Sequence, residues 1–225
     1  MKPFNLFRIC FSSLFSFLIF SCNNSSDAGT SNTDTTMKNN MSDANNMAAK
    51  KDELRTAMRK LWEDHVTWTR NAILNIMDDL PGTDAAVTRL LSNQDDIGNA
   101  IKPYYGDDAG KQLSALLHTH ITTAADLLKA AKTDNKTAFD DANKKWLANA
   151  DDISDFLSKA NPNWKLEDMK MMMHDHLQLT TDEAVARKKK DYDGDIKAYD
   201  KVHDEILKMS DMLTDGIVKQ FPDKF

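Results

Sequence analysis

Apolar residues recur every three or four positions through most of the chain, and no stretch alternates as a half-buried strand would. The spacing predicts six helices, near 48–80, 84–102, 107–133, 136–159, 165–188 and 191–221. Glycine and proline fall between them, at Leu80-Pro81-Gly82, Pro103-Tyr104-Tyr105-Gly106 and Asn161-Pro162-Asn163. Softer breaks stand at Thr133-Asp134-Asn135 and Asp191-Tyr192-Asp193. The expected fold is all-α, an antiparallel helical bundle of about six helices with short connections.

The pattern also repeats. LSNQDDI (91–97) matches LANADDI (147–153) at five of seven positions. The same offset of 56 carries His118 onto His174 and His120 onto His176. Residues 90–132 and 146–188 share 10 of 43 positions without a gap. A duplicated helix pair is expected.

Each copy carries a His-x-His. A helix turns about 100° per residue, so the two rings of each motif cannot share a face. The stripe Leu113, Leu116, Leu117, Ile121, Ala124, Leu127 takes in His120 and leaves His118 at its edge. In the next copy Met169, Met172, Met173, Leu177 and Ala184 bracket His176, not His174. The same reasoning turns His65 inward on the first helix, and His203 inward on the last among Ile196, Tyr199, Val202 and Ile206. Four helices are thus expected to bring His65, His120, His176 and His203 to one depth.

Neutral imidazoles buried without partners cost about 1–3 kcal/mol each, so something must satisfy them. A transition metal such as zinc, copper or iron would do so, with His65, His120, His176 and His203 as ligands. Asn93, Asp96, Asn149, Asp152 and Asp200, near the stripes at similar depth, are the expected supporting residues. Haem between paired histidines is a weaker form of this reading. A hydrogen-bonded His/Asp/Asn network with no cofactor, or an organic-ligand pocket, would also satisfy the rings. The thioethers of Met169, Met172 and Met173 suit copper, but they replace leucines of the other copy and read equally as core filler. Trp62, Trp68, Trp146 and Trp164 read as packing residues, and Arg70 as exposed. No Glu-x-x-His pair, phosphate-binding glycine loop or nucleophile motif occurs, so no catalytic residue is named.

The N-terminus adds a compartment. Lys2 and Arg8 precede an apolar run ending in Ile19-Phe20-Ser21-Cys22, the pattern of a lipoprotein signal covering 1–21. Cys10 would leave with it and Cys22 would carry lipid, so no cysteine remains for a disulfide or a thiolate site. Residues 22–47, poor in apolar side chains, are expected to be a flexible tether, and 48–225 the bundle domain. Losing two basic residues with the signal takes the net charge from −6 to −8. That acidity argues against nucleic acid as a partner and leaves acyl chains as the membrane contact, on the periplasmic or outer-membrane side of a bacterial envelope. A protein partner stays open.

The stretches NQDDIGNAIKPYYG (93–106), NADDI (149–153) and DIKAYDKVHDEILKMSDMLTDGIVKQF (195–221) resemble an uncharacterised family of small exported bacterial all-helical proteins. The resemblance covers about residues 60–222. It implies a single helical domain and brings no function or site with it.

Overall fold

In a computed structural model, the backbone is described from residue 32 and side chains from Ala44, both to Phe225. The signal (1–21), Cys22 and the first part of the tether lie outside the described residues. The helices are α1 (Asn32–Met77), α2 (Thr83–Tyr105), α3 (Asp107–Lys132), α4 (Lys136–Ala160), α5 (Leu166–Lys188) and α6 (Tyr192–Gln220), then a 3₁₀ turn, Pro222–Lys224. The fold is the all-α bundle the periodicity predicts. One boundary is corrected: α1 is already helical at Asn32, so 32–47 are not a coil tether. No glycine or proline interrupts the chain between Gly29 and Pro81, and nothing there stops a helix. The bundle itself is the compact unit Met41–Phe225; of the preceding unit, Met1–Asn40, only these opening turns are described.

Successive helices pack on one another from α2 through α6. The short connections make neighbours antiparallel. α1 lies against α2, where Asn93 Nδ2 donates to Leu61 O at 3.0 Å. It also meets α6, where Arg55 Nη2 donates to Asp215 at 2.6 Å.

The duplication of 90–132 and 146–188 extends to a third copy, so that the chain is built of the hairpins α1–α2, α3–α4 and α5–α6. Each hairpin turn holds one non-glycine residue in the left-handed region: Asp79 (φ 55°), Asp134 (φ 53°) and Lys190 (φ 60°). Each turn also closes with the same six-residue backbone bond: Leu80 N to Asn75 O, Asn135 N to Ala130 O, Asp191 N to Ala186 O. This is a Schellman cap, which satisfies carbonyls that a helix C-terminus leaves free. The lysines ending α3 and α5 tie the turns together: Lys132 reaches Asp79 and Ile76 O, and Lys188 reaches Asp134 and Ala131 O.

Small residues set the helix spacing. A Cβ at Gly98 of α2 would lie 2.5 Å from the Gly110 carbonyl oxygen of α3, and one at Gly110 would lie 2.6 Å from Gly98 O. Backbone meets backbone there, so neither partner can swing aside. Ser154 and Ser210 hold the Gly98 register in the other hairpins, and both are fully buried. Gly98→Ala is expected to cost about 1–3 kcal/mol through overpacking. The check is a urea titration, in which the midpoint falls at unchanged slope.

Candidate functional site: a histidine layer between two cavities

One hairpin contributes one inward ring, always from its first helix. His65 of α1, His120 of α3 and His176 of α5 are each 2–3% exposed. The His65 and His176 centroids are 5.8 Å apart, and those of His120 and His176 are 6.4 Å apart. Three of the four expected histidines therefore meet, in one layer.

His203 does not join them. Its side chain is 36% exposed, with Nε2 at 3.4 Å from Glu63 Oε1. The inward stripe of α6 runs through Asp195, Ala198, Val202, Ile206 and Met209, while Ile196 is 53% exposed. A stripe drawn through Ile196 is rotated by one residue, and it puts His203 inside in error. His118 and His174 are surface residues as expected, each held at 3.0 Å by Asp95 or Asp151.

Each ring is oriented by the second helix of its own hairpin, always 29 residues later. His65 Nδ1 accepts from Gln94 Nε2 at 3.2 Å. His120 Nδ1 donates to Asn149 Oδ1 at 3.0 Å. His176 Nδ1 donates to Glu205 Oε2 at 2.9 Å. Asn149 acts as a supporting residue, also donating from Nδ2 to Leu116 O. Asn93 is buried but reaches Leu61 O and Gln94 rather than a ring. Asp96, Asp152 and Asp200 are exposed and support nothing in the layer. In each Asp-Asp pair both carboxylates face outward, and the first of them holds the surface histidine.

Gln94 Nε2 has two protons for three acceptors, Leu90 O, Asn93 Oδ1 and His65 Nδ1; with the amide in this orientation His65 accepts at Nδ1 and carries its proton on Nε2. Trp146 Nε1 donates to His120 Nε2 at 3.2 Å, so both nitrogens of His120 are engaged. His176 gives its Nδ1 proton to Glu205, which leaves an Nε2 lone pair with no partner among the described residues. Burial, reinforced by the charge of His176 and then of His120, holds His65 well below the ordinary imidazole range. Burial, with His176 beside it, pulls His120 down to about 3 against the Asn149 hydrogen bond. These two rings are neutral at neutral pH.

Cavities of about 30 Å³ flank the layer. Both are lined by all three histidines. One is otherwise apolar, with Trp62, Met173 and Met209 in its wall. The other carries Thr69 and Thr180, whose buried hydroxyls have no hydrogen-bond partner among the described residues. A volume of about 30 Å³ admits a water or a single ion; drug-sized ligands use pockets of about 300–1,000 Å³, and a porphyrin has no room here.

The family and structure comparisons add nothing. No known family, curated protein or solved structure matches the chain.

The layer is near to, but not closed as, a metal centre. Rings sharing a tetrahedral or trigonal ion at about 2.0–2.1 Å have centroids about 5–5.5 Å apart. The observed 5.8 Å and 6.4 Å are somewhat wide. Among the described residues no group of three or more His, Cys, Asp or Glu side chains is set to hold an ion. His65 and His176 stand nearest this spacing, whereas His120 is committed to Trp146.

A second polar cluster lies on α1, α5 and α6. Arg70 of α1, read from sequence as exposed, is largely buried. Its Nη1 donates to Glu183 Oε1 at 2.6 Å and to Asp195 Oδ1 at 2.8 Å. Both carboxylate side chains are 1% exposed. Arg187 adds a weaker contact to Asp195 at 3.4 Å and pairs with Asp78.

Proposed function

We propose that the protein is a lipid-anchored envelope protein whose bundle takes up one transition-metal ion between His65 and His176, for storage, sensing or redox use. The observation that carries this is the geometry of that pair. The rings are 5.8 Å apart, each steered at Nδ1 by a side chain of the following helix, and both line an ion-sized cavity. The Glu205–His176 contact is the carboxylate–imidazole pairing that raises ligand basicity in metal sites. Depressed proton affinity helps, because His65 needs no deprotonation before it coordinates. Loading His65 at Nε2 moves its proton to Nδ1 and requires Gln94 to turn its unpartnered Oε1 toward the ring.

The Lys2/Arg8-led apolar run and Cys22 support the anchor, and the −8 charge of the processed chain supports a surface that avoids nucleic acid. No described helix is long and apolar enough to cross a membrane.

A second reading has its own support. Both nitrogens of His120 are satisfied by protein, which is what a structural layer needs. On that reading the histidines set the hairpin register and bind nothing.

Elemental analysis of the untagged processed chain, with melting curves in added metal, separates the two. Metal binding predicts about one ion per chain and a stabilisation near 2.7 kcal/mol at a free concentration 100 times Kd. The paired change His65→Leu/His176→Leu should abolish both while helicity by circular dichroism is retained. A metal-free protein whose melting point ignores Zn²⁺, Co²⁺ and Cu⁺ leaves the structural reading in place.

A further inference from the structure

The wall on one side of the histidine layer specifies the ion more closely, if the metal reading holds. That cavity is lined by the three imidazoles, two indoles, aliphatic side chains and three thioethers, Met58, Met173 and Met209, and by no carboxylate. The thioethers are 1–6% exposed. Met173 lies three residues before His176, about 4.5 Å along the same helix face. Met209 lies four residues after Glu205, about 6 Å along α6. Because α5 and α6 run antiparallel, both offsets point the same way, into the cavity beneath the rings. Met58 is seven residues from His65, about 10.5 Å away, and closes the far wall.

The threefold repeat shows that these sulfurs are not a uniform core choice. Position 173 corresponds to Trp62 and Leu117 in the other hairpins, and position 209 to Ile97 and Ile153. Methionine stands at both places only in the α5–α6 hairpin, which also supplies His176 and Glu205. Sulfur is therefore concentrated in the hairpin whose imidazole keeps a free lone pair.

Charge points the same way. The cost of moving an ion out of water grows with the square of its charge, so a dication costs about four times a monocation. Within hydrogen-bond reach of the three rings there is one carboxylate among the described residues, Glu205. It balances one positive charge and leaves a dication half uncompensated. Soft donors, an apolar wall and a single negative charge together suit a soft monovalent ion.

We infer that the layer is a copper(I) site, with His65 and His176 as nitrogen ligands and Met173 and Met209 as sulfur ligands. Copper enters already reduced, and binding involves no electron transfer. His120, engaged by Trp146 and Asn149, walls the site without ligating.

The test is an anaerobic titration of the full processed chain with Cu⁺ against bicinchoninate, alongside Zn²⁺ titrations and X-ray absorption of the copper-loaded protein. The expected result is one Cu⁺ per chain, bound at least about 100-fold more tightly than Zn²⁺, with sulfur in the coordination sphere. Met173→Leu and Met209→Leu conserve volume and should fold normally. Each should weaken Cu⁺ at least about tenfold and leave Zn²⁺ affinity unchanged. Zn²⁺ bound as tightly as Cu⁺, with both leucine variants silent, overturns the copper assignment and keeps a histidine metal site. Neither ion bound overturns the assignment together with the function proposed above.

Discussion

Arg70→Ala is expected to destabilise the bundle by about 3–5 kcal/mol at pH 7.5, the range for stripping one partner from a buried ion pair. Arg70 Nη1 is the shared donor of two carboxylates that have almost no solvent, Glu183 and Asp195. After its removal Arg187 still approaches Asp195 at 3.4 Å, but nothing positive replaces it at Glu183. The loss should shrink in mild acid. Burial pushes the Glu183 carboxyl up to about 7 even with Arg70 pulling it down, so without Arg70 it protonates more readily still. Urea unfolding of the variant at pH 7.5 and pH 5.5 measures this directly. A penalty below about 1 kcal/mol would mean that the guanidinium behaves as an exposed pair does. A penalty equal at both pH values would mean that Glu183 keeps one protonation state across this range. The double change Arg70→Met/Glu183→Leu removes the uncompensated charge and should recover most of the loss.

How this cluster was hidden in the sequence explains the one wrong histidine. Helical periodicity finds a buried face by its apolar residues. α6 buries Asp195, which scores as polar, and exposes Ile196, which scores as apolar. The apparent stripe therefore turns by about 100°, and His203 falls inside it. Arg70 and Asp195 lie in separate helices 125 residues apart, and only the fold shows that each excuses the burial of the other. By contrast His65, His120 and His176 sit among hydrocarbon on their own helices, and periodicity alone turns them inward. The residues that orient them follow a fixed 29-residue step, but they differ in chemistry: Gln94, Asn149 and Glu205. That difference conceals the third hairpin. The signal was present in Glu63-Asp64-His65-Val66, His118-Thr119-His120-Ile121 and His174-Asp175-His176-Leu177, at spacings of 55 and 56. Asn149 was legible because two copies of the Asn-x-x-Asp stretch survive. Asp96, Asp152 and Asp200 were misplaced because proximity to a stripe is not a contact.

Mild acid should destabilise the native protein with a slope that Glu183 partly masks. A buried histidine with depressed proton affinity gives stability that is complete above its unfolded value of 6.5 and is lost as pH falls. Glu183, raised from 4.5 to about 7, works oppositely: its contribution is complete below 4.5 and is lost as pH rises through 7. At pH 5.5, unfolding lets His65 and His120 take up protons while Glu183 releases one, so stability climbs with pH there and Glu183 reduces the slope. Glu183→Gln keeps a hydrogen-bonding group beside Arg70 and abolishes the release, so the slope at pH 5.5 should steepen. Equilibrium urea unfolding at pH 5.0, 5.5 and 6.0 for both proteins supplies the slopes. A flat native profile would mean that the two rings are already charged, or already wet, inside the bundle. A native slope unchanged by Glu183→Gln would place the Glu183 proton elsewhere, and with it the compensation between the carboxylate cluster and the histidine layer.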